Sequence, residues 1–111
     1  MIIDFKNIED KAFEGFRGGY GRLIMRSFAD DDCKIMRHIL KPGAALGLHT
    51  HDDNCEIIVV QKGEATVHCD GKTELLTEGQ VHYCPRGHSH YIENQTNDDI
   101  QYLAIIVEMA R

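Results

Sequence analysis

Two stretches of the chain hold metal-binding residue types at spacings that let them converge. The first reads Gly43-x5-His49-x-His51-x4-Glu56-x6-Gly63. Residues two apart on a strand point to the same side, so the imidazoles of His49 and His51 share a face. Asp52-Asp53-Asn54 then allows a turn, and Glu56 can return on the neighbouring strand beside them. The second stretch reads Gly79-x5-Pro85-x-Gly87-x2-His90-x3-Asn94. Pro85 and Gly87 shape a turn, His90 starts the next strand, and in a closed barrel it faces the other three. Three imidazoles and one carboxylate suit borderline and hard divalent ions, so Mn, Fe, Ni, Co and Zn are all sensible occupants. An octahedral ion held this way keeps two positions for water or for a small ligand with adjacent oxygens. A dicarboxylate, a 2-oxo acid, an enediol or a sugar acid has that shape. The ion can polarise a carbonyl or lower the pKa of bound water.

Strands must place these groups. Strand-like stretches fall at 22–28, 34–41, 46–51, 55–61, 64–69, 73–77, 80–84, 89–94 and 100–108, separated by short breaks rich in Gly, Pro, Asn and Asp. Many short strands at this spacing indicate an all-β sandwich or barrel. Asp70-Gly71 between Val67-His68-Cys69 and Lys72-Thr73 predicts a tight hairpin. A weak helical piece is expected around Asn7–Phe13. Closure into a barrel or jelly roll removes the unpaired edges that so many strands would leave.

The two stretches resemble the two motifs of the cupin superfamily at every defining position, with 15 residues, 64–78, between them. At average residue usage, either motif arises by chance below about once per million starting positions. The chain is similar to small single-domain bacterial cupins of the conserved-barrel type. The resemblance implies a double-stranded β-helix with a short N-terminal extension. Residues 1–30 would supply N-terminal strands and a dimer contact, and 31–111 the barrel. It also maps the family's metal ligands onto His49, His51, Glu56 and His90. The family hosts decarboxylases, dioxygenases, isomerases and non-enzymatic binders, so fold and ligands do not fix a reaction. The expected function is a divalent-metal-dependent enzyme acting on a small oxygen-rich acid or sugar derivative. The alternative is a module that binds or senses a small ligand without turnover.

Other residues carry less. His38 shares a strand face with Met36 and Leu40, while Arg37 and Lys41 face away, so His38 is expected to point inward and to line the pocket or pack there. His82 and Tyr83 alternate, and Tyr83 is expected inside with Val81. Tyr83 and His38 are therefore the candidate catalytic groups. His88 reads as a solvated loop residue and His68 as exposed near the 70–71 turn. Cys33, Cys55, Cys69 and Cys84 form no CxxC pair, and the default for them is the reduced thiol. Asp30–Asp32 reads as a solvated turn without calcium-loop spacing. Gly18-Gly19-x-Gly21 lacks the strand and helix of a phosphate cradle.

Composition narrows the class. The chain has 111 residues, 42% hydrophobic and 27% charged, the profile of one soluble globular domain. A formal net charge of -6 argues against nucleic acid and against an anionic membrane surface. No apolar run approaches a membrane span, and Met1-Ile2-Ile3-Asp4-Phe5-Lys6 lacks a signal-peptide layout, so a cytoplasmic location is expected. Leu103-Ala104-Ile105-Ile106-Val107 alternates poorly, as a strand buried on both faces would. Met1–Phe5 can add a strand across a two-fold axis. A homodimer binding a small molecule is the expected assembly.

Overall fold

The structure, a computed structural model, describes Met1–Met109. In chain order its strands are β1 (Lys11–Glu14), β2 (Arg22–Ala29), β3 (Cys33–Leu40), β4 (His49–Thr50), β5 (Asn54–Lys62), β6 (Ala65–Cys69), β7 (Lys72–Leu76), β8 (Val81–Cys84), β9 (Ser89–Glu93) and β10 (Ile100–Glu108). They form a six-stranded sheet, β1-β2-β3-β10-β5-β8, and a four-stranded sheet, β4-β9-β6-β7. All pairings are antiparallel. This is the double-stranded β-helix.

Period-two burial explains which residues line the interior. β3 buries Met36, His38 and Leu40. Next to it β10 buries Ile100, Tyr102, Ala104 and Ile106. Leu23 and Met25 of β2 and Ile58 and Val60 of β5 complete one wall, and Val67, Leu76 and Ile92 supply the other. Because β2 pairs with β3 along its length, the N-terminal strands share one sheet and one core with the rest. β6 and β7 turn at Asp70-Gly71, where both residues have positive φ, 54° and 78°, as a two-residue hairpin requires. Asn94 clamps the end of β9. Its Nδ2 donates to Leu40 O (2.9 Å) and Asp98 O (2.7 Å), and its Oδ1 accepts from Thr96 N (2.9 Å).

Two local expectations need correcting. Residues around Asn7–Phe13 do not form an α-helix. Phe5–Asn7 makes one 3-10 turn, and Lys11–Glu14 pairs with Arg22–Met25 as β1. A seven-residue helix cannot offset its nucleation cost, whereas a strand completes an open sheet edge. The expected strand at 46–51 shrinks to His49–Thr50. The backbone at 45–47 instead packs on 16–20, through Ala45 N to Tyr20 O (2.8 Å), Tyr20 N to Ala45 O (3.0 Å) and Gly47 N to Phe16 O (3.1 Å). Met1–Asp4 carries no strand within one chain.

Candidate metal centre

The four residues come from both sheets. Glu56 lies near the start of β5, His49 on β4 faces His90 on β9 in direct register, and His51 follows β4. Hydrogen bonds from His51 N to His88 O (3.0 Å) and from Gly87 N to His51 O (2.6 Å) fix the backbone beside His51. Pro85 and Gly87 thus form a turn that props up His51 as well as introducing His90.

The donor atoms of His49, His51, Glu56 and His90 all lie within 4.8 Å of one another. Glu56 Oε1 is 2.8 Å from His90 Nε2, 3.2 Å from His51 Nε2 and 3.9 Å from His49 Nε2. The Nε2 atoms of His51 and His90 are 3.0 Å apart. Three of the four residues are buried, and His49 is half-buried toward the cavity. Lone pairs of two imidazoles and a carboxylate crowded to this degree are reconciled by a shared cation. The donor set therefore fits a divalent ion, and this group can hold one.

Each imidazole is anchored through its other nitrogen. His49 Nδ1–H donates to Gly47 O (2.7 Å), and His51 Nδ1–H donates to Asn54 Oδ1 (2.6 Å). His90 Nδ1–H faces His82 Nε2 at 2.9 Å. These contacts leave every Nε2 lone pair directed inward, the arrangement by which outer partners set tautomer and ring angle at metal sites. Burial pushes the Glu56 carboxyl up, but the three imidazoles beside it outweigh that and hold it well below the usual carboxylate range, so that it faces the cluster as an anion. The neighbouring Glu56 carboxylate in turn raises His51 against the effect of burial. Burial lowers His90 and also His82.

The expectation for Tyr83 is overturned. β5 and β8 pair with Glu56 opposite Cys84 and Ile58 opposite His82. Glu56 and Ile58 face inward, so Cys84 and His82 do too, and Val81 and Tyr83 face out. Tyr83 is 52% exposed and Val81 60%. Hydrophobicity within β8 suggested the opposite face because Val81 and Tyr83 are its most apolar residues apart from Cys84. The pairing register with β5 decides, and it is not written in β8 itself. His82 is consequently a candidate orienting residue for His90 that sequence reasoning missed. His82→Ala is expected to weaken metal binding by about 10–100-fold with the four ligands intact. A competition titration against a chromophoric chelator reads this, and unchanged affinity would remove His82 from any orienting role.

His38 points inward as expected. Its Nδ1 lies 3.0 Å from Tyr102 Oη, its Nε2 has no partner among the described residues, and burial drops its pKa to about 4. It lines a cavity of about 260 Å³ together with His49, Glu56, Met25, Met36, Leu46, Phe16 and Arg17. The cavity thus reaches the four-residue cluster at His49 and Glu56.

The remaining candidates stay outside the centre. His88 is exposed and pairs with Asp70 at 2.5 Å. His68 is half-buried rather than exposed, stacked on Tyr91 and bonded to Glu93 (3.0 Å) and Thr73 (2.9 Å). The Cys84 thiol contacts His88 O at 3.7 Å, and burial pushes its pKa up to about 12. Among the described residues, no helix is long and apolar enough to cross a membrane.

Comparison with known proteins agrees with the geometry. The cupin-domain family Cupin_2 matches residues 36–106. The oxalate-binding protein of Thermotoga maritima is 31% identical over 113 residues, covering 96% of this chain and 93% of that protein. A crystal structure of a predicted oxalate decarboxylase from Thermotoga maritima superposes with a TM-score of 0.92 at 30% identity, covering 98% of this chain and all of that one. The alginate biosynthesis protein AlgA of Pseudomonas aeruginosa is 45% identical over 60 residues, but these span only 12% of its length. Since the family match runs from within β3 to within β10 and contains all four clustered residues, the chain belongs to the cupin family.

Proposed function

We propose that the protein holds one divalent ion on His49, His51, His90 and Glu56 and presents it to a small oxygen-rich acid, oxalate foremost. The observation that carries this reading is the convergence of three anchored Nε2 atoms and one carboxylate at a cavity of about 260 Å³. Once bound, the ion would supply positive charge and open coordination positions for adjacent carboxylate oxygens. The chain's own residues do the rest. Gly47 O, Asn54 and His82 orient the imidazoles, and Met25, Met36, Leu46 and Ile106 exclude water around the ligand. The printed name of the Thermotoga relative supports oxalate as the first acid to try. Mn, Fe, Ni, Co and Zn all fit the donor set.

The test is oxalate titration into protein loaded with Co2+ and desalted, followed by visible absorption. One equivalent should shift the cobalt bands while the metal stays with the protein. Unshifted bands, or equal oxalate binding after metal removal, would refute the reading. A second reading, turnover of the acid, is favoured by one observation. His38 lines the cavity, and its buried Nε2 has no partner among the described residues. Formation of a product from the bound acid would establish turnover.

We also infer a homodimer through the outer face of the six-stranded sheet. Ile35, Ile57, Leu103 and Ile105 lie there half-buried, with Val81 and Tyr83 exposed beside them. A second copy of the same face would bury this apolar stripe. Sedimentation equilibrium should return twice the chain mass, and a monomer at micromolar concentration would contradict it. The four free thiols accord with a cytoplasmic location.

A further inference from the structure

The cavity asks for more than a chelating head. Its volume of about 260 Å³ equals the liquid share of roughly nine waters, more than the six heavy atoms of oxalate occupy. Two cations, Arg17 and Lys34, line it, against the single carboxylate of Glu56. This is notable in a chain of net charge -6. Among the described residues Arg17 has no carboxylate partner, and its guanidinium sits 5.6 Å above the ring of its neighbour Phe16. Its charge is felt at both His38 and His51. His38 offers a second unmet group. If Tyr102 Oη donates to His38 Nδ1, Nε2 carries the proton, and that N–H has no acceptor among the described residues.

Arg17 is also held in place at a cost. It has φ 55°, in the left-handed region, between Gly15 at 65° and Gly18 at 79°. Such backbone persists in a non-glycine residue only where its surroundings over-determine it. Here they do. Gly15 N donates to Gly21 O (3.0 Å), Gly18 N to Gly15 O (3.0 Å) and Gly47 N to Phe16 O (3.1 Å). A Cβ at Gly47 would fall 1.9 Å from Arg17 O, so only glycine lets the two backbones touch. Gly47 O in turn anchors His49. One knuckle therefore fixes the backbone that carries both Arg17 and a candidate metal ligand, and the exposed Arg17 side chain reaches the cavity from it.

We propose that Arg17 is the specificity-determining residue of the cavity. It receives the metal-distal carboxylate of a dicarboxylate longer than oxalate, with His38 Nε2–H donating to the ligand between the two ends. This rests on the chelation reading above and names its substrate class. Arginine suits the role because its planar fork is always charged and matches a carboxylate bidentately.

The probes are racemic malate and racemic 2-hydroxybutanoate. They share a 2-hydroxycarboxylate head and differ in a distal carboxylate or methyl. Calorimetry on the Co2+-loaded protein should show malate binding at least about tenfold tighter, the scale of one charge-assisted pair. Arg17→Asn should bring malate down to the level of 2-hydroxybutanoate while the protein still binds cobalt. Asparagine tolerates left-handed backbone, so the knuckle survives. Arg17→Lys should keep part of the preference. Equal binding of both acids by the unmodified protein overturns the proposal without any variant and leaves chelation standing. A malate preference that survives Arg17→Asn does the same. Failure of both acids to bind the cobalt-loaded protein overturns this proposal together with the chelation reading.

Discussion

Alanine at position 56 is expected to abolish metal binding in the micromolar range and with it any stabilisation by metal. Glu56 Oε1 is the atom around which the cluster is arranged, at 2.8, 3.2 and 3.9 Å from the three Nε2 atoms. Without it, three neutral imidazoles face a divalent ion with no protein charge to balance it. Loss of an outer partner already costs about 10–100-fold in metal affinity, and loss of the one anionic ligand should exceed that range. The linked effect on folding is as large. At a free ion concentration 100 times the dissociation constant, the unaltered protein should gain about 2.7 kcal/mol from the metal, and Glu56→Ala should gain close to none. Denaturant melts with and without Co2+ or Mn2+ measure both. A variant that still gains as much stability as the parent would mean that Glu56 is not a ligand.

His38→Gln is expected to flatten the acid limb of the stability curve of the metal-free protein. Burial holds the His38 pKa at about 4 in the folded chain, against 6.5 for an unperturbed imidazole. Above pH 6.5 the ring is neutral in both states. Between pH 6.5 and 4 the unfolded chain takes up a proton that the folded chain refuses, so stability falls as the pH falls. The full difference is worth about 3 kcal/mol, at 1.36 kcal/mol for each pKa unit. Glutamine does not titrate and can still accept from Tyr102 Oη, so it removes the titration and keeps the polar contact. Urea melts from pH 7 to 4 in the presence of a chelator should show the parent losing stability faster than the variant. Parallel curves would indicate that His38 is protonated or solvated in the fold.

Much of this architecture is legible in the sequence because its signals are local. The alternation of Met36, His38 and Leu40 identifies β3 and its inner face, and Asp70-Gly71 identifies a hairpin by the backbone it demands. The four clustered residues are legible for the same reason. His49 and His51 share strand parity, and Glu56 and His90 lie at family spacing from them. What is not legible depends on pairing between distant segments. Tyr83 and His82 exchange faces because β8 takes its register from β5. β1 exists only because β2 offers it an edge, and nothing in Lys11–Glu14 announces a strand. Arg17 escapes notice altogether. Its role follows from a left-handed knuckle packed on Gly47, 30 residues away, and no periodicity encodes that contact.

Three imidazole nitrogens and one carboxylate oxygen are expected to bind a single cation between the two sheets. Crystals of untagged protein, grown without added chelator and measured on either side of the absorption edge of the metal found by elemental analysis, test it directly. One anomalous peak per chain is expected, within coordination distance of Nε2 of His49, His51 and His90 and of a Glu56 carboxylate oxygen. A metal-supplemented crystal with no peak among these four side chains, or with the peak bound elsewhere, would contradict it.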